Sequence, residues 1–517
     1  MTRLTNRAVL LPGVEGGTFN AKLRSGTAAF ASFRIVHGIA MSSPGVLCDG
    51  NPSHGQPLNA AAGGLPARSV DLEIDKGGDA DRIAAARNPN GRGRAVLATE
   101  TGHPSGPSQQ RTKPSEAAMS HLEPTNHWVK HTSSIPANFG EEIKLFVREY
   151  SDGSGGTPKP VLMLHGRSVP ALPGFDLVLP PPGGSPHPDT SYSWAQALAD
   201  KGYDVYIMDL QGSGLSPRPR MDDPCNANPA QRGLLKTNPG TGHCSATASY
   251  PSQLGNSKSE WDELGTVVTF IRNRCANEQV SFIGWSAAAF VMGPYTLQHP
   301  GDVARLFLLA PMFPPNGRWS TDPAAAFAPP PGTGLPTKAV SDPAAAFGFP
   351  MNLTSKAGLQ AGISDATLAD HVWRAIMDSD STGKKWGGAT AGAPEGVMRW
   401  RNSYWWGWNR STAPHGPTLG STVPVCIVYG DQDRTANTPE ELGPVLHFSV
   451  PKLYQAIPGA DKLMFRVEGW DHNPVWERKA NQLLQHMCVK WLEDKKVYGV
   501  QKGSWVRDLD GVLSPSE

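Results

Sequence analysis

The pentapeptide Gly284–Ala288 constrains the fold of this chain more than any other segment. A β-rich apolar run, residues 279–283, precedes it, and an apolar, helix-compatible stretch follows it. This order is typical of a tight turn between a strand and a helix, which holds a serine in a strained backbone conformation with its hydroxyl at the end of the sheet. Only small residues fit beside such a serine, and Ala288 stands where glycine is usual. The segment therefore predicts that Ser286 is a nucleophile.

Two further segments supply an acid and a base, each after a predicted strand. The apolar run 424–429 is followed by Asp431 and Asp433, and the run 463–467 is followed by His472. Short apolar runs bounded by Pro or Gly are typical of buried strands. Because the carboxyl ends of parallel strands form the edge of a sheet where ligands bind, we expect the serine, one acid and the histidine to meet there.

The order serine, acid, histidine is the one found in α/β-hydrolases. From about Glu141 to Asp494 the chain resembles an α/β-hydrolase of the esterase, lipase or lactonase kind. The resemblance implies an α/β fold with a mostly parallel central sheet, helices on both faces and a cap inserted over the site. Besides the three turns, the segments that carry it are residues 161–166, 202–209 and 212–216.

The resemblance also implies roles for residues near Ser286. His472 would be the base, and Asp433 would hold its imidazole in the required tautomer. Asp431 is the neighbour that could take the place of Asp433.

Two backbone N–H groups would receive the oxyanion in this interpretation, those of Ala287 and Arg167. The guanidinium of Arg167 would reach the substrate or, as the favoured alternative, face solvent. His165 is a rival base, but its place beside Gly166 favours a role in shaping the oxyanion turn and the pocket.

Residues 311–423 interrupt the alternation of strands and helices between the two parts of the hydrolase core, 119–310 and 424–517. This insertion is interpreted as the cap. It contains the repeats 322–327 and 342–347, whose Asp-Pro pairs suit helix starts. The cap is also rich in tryptophan, which predicts either an aromatic substrate pocket or packing of the cap on the core. The tryptophans predicted to line the pocket are Trp285, Trp405 and Trp406.

Residues 1–118 differ in composition from the rest of the chain. They contain no Trp or Tyr and are rich in Gly, Ala, Ser, Pro and Arg. Such a segment buries too little apolar surface to offset its chain entropy, so we expect it to be disordered. Two alternatives are that the natural chain starts at Met119 and that the segment is a small folded domain.

The net charge and the lengths of the apolar runs narrow the classes of partner that the sequence allows. A net charge of +1 gives no electrostatic case for nucleic acid or an anionic membrane. No apolar run approaches the ~20 residues that span a bilayer, and the absence of a clear signal peptide slightly favours the cytoplasm.

Cys225 and Cys244 bracket a polar loop and either form a disulfide or remain free thiols. No cofactor or metal is expected, because no dinucleotide loop or metal-ligand set is seen.

A serine at the nucleophile position predicts acyl transfer, whereas the related epoxide hydrolases and haloalkane dehalogenases place a carboxylate there. The leading prediction is a hydrolase of a small apolar carboxylic ester or lactone, acting through an acyl-enzyme on Ser286. An acyltransferase, thioesterase or C–C bond hydrolase would use the same residues. A non-catalytic binding protein on the same scaffold is the third interpretation.

Overall fold

The computed structural model describes most of the chain beyond residue 121. The predicted disordered segment 1–118, the second repeat at 342–347 and Cys244 lie outside the described residues. The described residues are 122–151, 156–236, 249–250, 252–330, 349–363, 365–388 and 393–516.

Within these residues the chain forms fourteen strands. They are β1 (Thr125–Thr132), β2 (Glu142–Tyr150), β3 (Pro160–Leu164), β4 (Asp204–Met208), β5 (Gly255–Asn256), β6 (Val280–Trp285), β7 (Val303–Leu309), β8 (Met351–Thr354), β9 (Met398–Arg401), β10 (Ser403–Tyr404), β11 (Val425–Gly430), β12 (Lys462–Val467), β13 (Gly503–Arg507) and β14 (Leu513–Pro515).

Ten of these strands make one sheet, in the order β1-β2-β4-β3-β6-β7-β11-β12-β13-β14. All pairs from β4 to β13 are parallel, and antiparallel pairs close the two ends of the sheet. Every residue of β3 and β11 is buried, as expected for central strands covered on both faces. The predicted mostly parallel sheet is confirmed.

The helices lie in the connections of this sheet. The chain passes from β3 to β4 in one direction along the sheet and from β4 to β6 in the other. Right-handed connections therefore put α2 (Trp194–Ala199) and α3 (Ser257–Arg274) on opposite faces. Helix α2 packs against α9 (Arg478–Asp494), while α3 packs against α4 (Ala289–Gln298). The other helices of the described residues are α1 (Ala171–Phe175), α5 (Lys356–Gln360), α6 (Ala366–Asp378), α7 (Ser381–Trp386) and α8 (Val450–Ala456).

The sequence explains where α3 begins. The side chain of Asn256 accepts from the N–H of Ser259, and the Ser259 side chain accepts from the N–H of Asn256. This reciprocal cap satisfies two N–H groups that have no partner inside the helix. Because Asn256 also belongs to β5, which pairs with β10 of the insertion, the same turn fixes one contact between core and insertion.

The insertion after β7 contains α5, α6 and α7 together with three strands. Strands β8 and β9 form an antiparallel pair. The sequence prediction of a helical cap omitted these strands, each of which is only four residues long. All four residues of β9 are buried, including Arg399 and Arg401. The Asp-Pro pair at Asp322 starts only a short 3-10 turn, Pro323–Ala325.

The cysteines of the described residues fall into two groups. Cys225 is disulfide-bonded, whereas Cys275, Cys426 and Cys488 are buried free thiols. Cys426 lies in β11, as a small core residue is expected to. Among the helices of the described segments, none combines the length and apolar character needed to cross a membrane.

Candidate active site

Ser286 occupies a strained turn at the carboxyl end of β6. Its φ is 59°, a left-handed value that residues with a Cβ rarely adopt. The chain continues through a 3-10 turn, Ser286–Ala288, directly into α4. A Cβ added to Gly284 would lie 3.2 Å from the Cβ of Ala288. The close return of the helix to the strand explains why small residues flank the serine.

The structure brings His472 and Asp433 to this serine. The imidazole Nε2 of His472 lies 2.9 Å from Ser286 Oγ, and its Nδ1 lies 3.0 Å from both carboxylate oxygens of Asp433. Asp433 is 1% exposed, and its Oδ1 also accepts the N–H groups of Thr435 and Ala436 at 2.9 Å. These bonds fix the carboxylate toward the imidazole.

Asp431, the alternative acid, has a different set of contacts. Its carboxylate accepts the N–H of Gly469 at 2.7 Å, and so ties the turn after β11 to the loop that carries His472. The same two loops meet at Gly430, where an added Cβ would lie 2.0 Å from the carbonyl oxygen of Trp470. Only glycine permits this approach, which brings the turn that carries Asp433 close to the loop that carries His472.

Trp285, predicted to line the pocket, packs beneath the histidine loop. Its indole N–H donates to the carbonyl oxygen of His472 at 3.1 Å. Its ring meets Trp476 edge-on, with 5.3 Å between ring centres. Trp285 is buried. Its hydrogen bond to His472 and its contact with Trp476 hold the backbone of His472 in place.

His165 is buried, and both of its ring nitrogens bond to backbone groups. Its Nδ1 lies 2.6 Å from the carbonyl oxygen of Gly166, and its Nε2 lies 3.2 Å from the N–H of Leu210. Since a carbonyl only accepts and an amide N–H only donates, the ring is neutral with its proton on Nδ1. Burial lowers the pKa of His165, in agreement with this form. The side chain therefore shapes the turn after β3.

Gly166 brings that turn against Ser286. A Cβ at this position would lie 3.2 Å from the Cβ of Ser286. Gly166, Arg167 and Ala287 border one small cavity of about 30 Å³. The two residues predicted to supply the oxyanion N–H groups, Arg167 and Ala287, thus line the same space beside Ser286.

The opposite wall of this cavity comes from the insertion. Trp400, Arg401 and Trp405 line it. The Trp405 ring stacks on Phe290 of α4 with 4.4 Å between ring centres. Trp405 therefore lies where a pocket residue was predicted and also packs the insertion on the core.

Trp406 does not line this cavity. Its indole donates to the carbonyl oxygen of Phe327 at 2.9 Å. Its ring meets Trp261 of α3 edge-on at 5.8 Å. Trp406 is 2% exposed and packs the insertion against α3.

A buried ionic cluster forms part of the cavity wall, and it was not found from the sequence. Arg401 donates to Glu263 Oε1 at 3.0 Å and to Glu260 Oε1 at 3.3 Å. The available signal was a pair of glutamates three residues apart among the apolar residues of α3. Burial raises the pKa of Glu263 to about 7 against the opposing effect of Arg401.

This raised pKa predicts a pH-dependent stability. The folded state keeps a proton on Glu263 that the unfolded chain releases near its ordinary pKa of about 4.3. The contribution of Glu263 is therefore full below that value and falls as pH rises through about 7. We expect the Glu263→Gln variant to lack this loss, which is on the order of 3 kcal/mol in the wild type. Urea unfolding at pH 4.5 and pH 8 measures the difference. If the free energy of unfolding changes by the same amount between the two pH values in both proteins, the prediction is contradicted.

No curated protein sequence matches the chain. Among solved structures, a thermophilic esterase from Thermogutta terrifontis has a TM-score of 0.37 at 14% identity, over 71% of this chain and 98% of that chain. A meta-cleavage product hydrolase from Pseudomonas fluorescens IP01 has a TM-score of 0.37 at 12% identity, over 72% and 99%. A putative aryl esterase from Burkholderia cenocepacia has a TM-score of 0.35 at 14% identity, over 70% and 98%.

The sequence itself matches a family model. The match spans residues 159–479, which include the strands from β3 to β12 and the turns that carry Ser286, Asp433 and His472. This confirms the superfamily predicted from the sequence: the chain belongs to the alpha/beta hydrolase fold family.

Proposed function

We propose that this protein is a serine hydrolase that cleaves a carboxylic ester or lactone through an acyl-enzyme on Ser286. The observation that carries the proposal is the continuous set of contacts from Asp433 through His472 to Ser286 Oγ. A serine hydroxyl attacks a carbonyl only when a base removes its proton, and this arrangement supplies the base.

The contacts support one tautomer of His472. An ionised carboxylate only accepts, so Asp433 holds a proton on Nδ1 and leaves Nε2 free to accept the proton of Ser286. As Oγ attacks the carbonyl carbon, Nε2 takes the hydroxyl proton, and Asp433 stabilises the imidazolium that forms. The imidazolium then gives this proton to the leaving alcohol oxygen as the C–O bond breaks.

The backbone N–H groups of Ala287 and Arg167 would receive the negative charge on the carbonyl oxygen. Both residues border the cavity beside the nucleophile. Each donor of this kind contributes on the order of 3 kcal/mol to transition-state stabilisation. In the second half of the reaction, His472 removes a proton from water as the water oxygen attacks the acyl carbon. The bond between that carbon and Ser286 Oγ then breaks, the imidazolium returns its proton to Oγ, and the acid is released.

The fate of the alcohol distinguishes the two classes of substrate in the proposal, lactones and open esters. In a lactone the alcohol remains attached to the acyl chain, whereas in an open ester it leaves. The aromatic wall of Trp400 and Trp405 supports an apolar substrate portion on the side of the insertion.

Labelling with a fluorophosphonate probe tests the proposed nucleophile. We expect the native protein to react in a 1:1 ratio, and peptide mass spectrometry to place the adduct on Ser286. Heat-denatured protein should not react, because activation requires His472 at 2.9 Å. An unlabelled native protein, or an adduct on another residue, would overturn the assignment.

A further inference from the structure

The cavity beside Ser286 lies on one side of the proposed reaction centre. Gly166, Arg167 and Ala287 line it, whereas His472 does not. In the proposed mechanism the carbonyl oxygen meets the N–H groups of Arg167 and Ala287, and the leaving oxygen takes a proton from His472 Nε2. The leaving alcohol would therefore lie on the histidine side, and the acyl substituent of the carbonyl carbon would enter the cavity.

The volume of the cavity limits the size of this substituent. The cavity measures about 30 Å³, and roughly 10–15 Å³ is needed to hold one water-sized group. It therefore has room for about two such groups. An acetyl ester would place a carbonyl oxygen and a methyl group there, and these two groups fill the space.

The wall opposite the nucleophile includes the indole ring of Trp405. This ring stacks on Phe290 of α4, with 11° between the ring planes and 4.4 Å between the ring centres. Its N–H donates to Glu260 Oε2 at 3.0 Å. Phe290 in turn meets Phe448 edge-on, with 6.2 Å between the ring centres. The indole is thus held on its face and at its nitrogen, and it cannot move aside without loss of both contacts.

Glu260, which accepts the indole N–H, is itself held in the wall. The residue is buried, and its Oε1 accepts from the Ser403 hydroxyl at 2.5 Å and from Arg401 at 3.3 Å. Loss of a donor to a buried carboxylate is costly, because water does not replace it there. The network around Glu260 therefore keeps the Trp405 ring in its place in the wall.

Trp405 lies across the cavity from Gly166 and Ala287. We propose that the protein is selective for acetyl esters and that the indole ring of Trp405 excludes longer acyl chains. Each further carbon atom of the acyl chain would compete with the ring for the same space. The inference rests on the proposed function and narrows it to open esters, because the acyl chain of a lactone continues to its alcohol oxygen.

Three p-nitrophenyl esters test the inference, because they share a leaving group and differ only in the acyl chain. They are the acetate, the butyrate and the hexanoate, and each kcat/KM is divided by the rate at which hydroxide hydrolyses the same ester. We expect a fall of at least about 10-fold from acetate to butyrate, the smallest effect expected of one methylene in a fitted pocket. A wild-type protein that cleaves the butyrate or the hexanoate as well as the acetate would overturn the proposal.

Substitution of Trp405 identifies the side chain that sets the limit. In Trp405→Ala we expect the ratio of kcat/KM for the hexanoate to that for the acetate to rise at least about 30-fold. Trp406→Phe is the matched control, because Trp406 is the adjacent tryptophan and does not line the cavity, and it should leave this ratio unchanged. A folded Trp405→Ala variant with the wild-type ratio would exclude Trp405 as the limit.

The Trp405→Phe variant decides the point if the alanine variant does not fold. It keeps a ring that can stack on Phe290 but removes part of the wall. We expect the ratio of kcat/KM for the butyrate to that for the acetate to rise about 10-fold. Circular dichroism checks the fold of each variant, and a folded Trp405→Phe protein with an unchanged ratio would overturn the proposal.

Sulfonylation of Ser286 separates failure of this inference from failure of the proposed function. Methanesulfonyl fluoride and hexane-1-sulfonyl fluoride place a methyl or a hexyl group on the sulfur atom that Oγ attacks, and both release fluoride. We expect the methyl reagent to label Ser286 at least about 10-fold faster, after division of each rate by that of hydrolysis in buffer. Equal labelling of Ser286 would overturn the acyl limit and leave the nucleophile assigned. If no ester is cleaved and no reagent labels Ser286, the proposed function fails, and the inference fails with it.

Discussion

Replacing Ser286 with alanine is expected to lower the rate of ester hydrolysis by on the order of 10⁵- to 10⁶-fold. His472 Nε2 lies 2.9 Å from Ser286 Oγ. The strained turn after β6 gives this contact to Ser286 and to no other side chain of the turn. In the proposed mechanism no acyl-enzyme forms without Oγ, so any remaining rate would come from substrate binding and the proposed N–H donors of Ala287 and Arg167. The measurement is steady-state hydrolysis of an ester that the wild type cleaves.

The fold should survive this change. Ser286 is 5% exposed, and alanine removes one hydroxyl from a site that already accommodates the turn. Ser281→Ala, in the strand that leads to Ser286, is the matched control, and we expect it to retain wild-type turnover. Circular dichroism and thermal unfolding should agree for the three proteins. A Ser286→Ala variant that is folded and turns over near the wild-type rate would exclude Ser286 as the nucleophile.

The sequence predicted the central sheet because its strands are apolar runs bounded by Pro and Gly. The apolar runs at 279–283, 424–429 and 463–467 correspond closely to β6, β11 and β12. Burial on both faces produces such runs, so the signal is local. The three proposed reactive residues were predicted from the same signal, because each of them follows one of these apolar runs in the sequence.

The walls of the cavity were harder to predict because they depend on pairing between distant segments. Arg401 is bonded to Glu263, which precedes it by 138 residues. A charged side chain inside a strand is normally taken as exposed, yet these ion pairs allow Arg401 to be buried. Which tryptophans face the cavity was equally undetermined, since Trp405 and Trp406 are adjacent in sequence but contact different parts of α3 and α4.

Replacing Asp433 with asparagine is expected to lower kcat by about 10⁴-fold. Oδ1 of Asp433 accepts two backbone N–H groups at 2.9 Å, and only an oxygen can take that position. The asparagine oxygen therefore remains there, and the amide NH₂ replaces Oδ2 opposite Nδ1 of His472. A donor at that place requires Nδ1 to accept, which moves the ring proton to Nε2. The imidazole then cannot take the proton of Ser286.

Asp431→Asn is the matched control, two residues away in the same turn. Asp431 accepts the N–H of Gly469, a bond that the asparagine oxygen preserves. We therefore expect Asp431→Asn to change kcat by no more than about 3-fold, since a surface substitution of this kind costs little. Steady-state kinetics of both variants on one ester, with thermal unfolding as the check on folding, give the ranking. If Asp431→Asn proves the more damaging change while both proteins remain folded, the acid is Asp431, and the contact between Asp433 and His472 is structural.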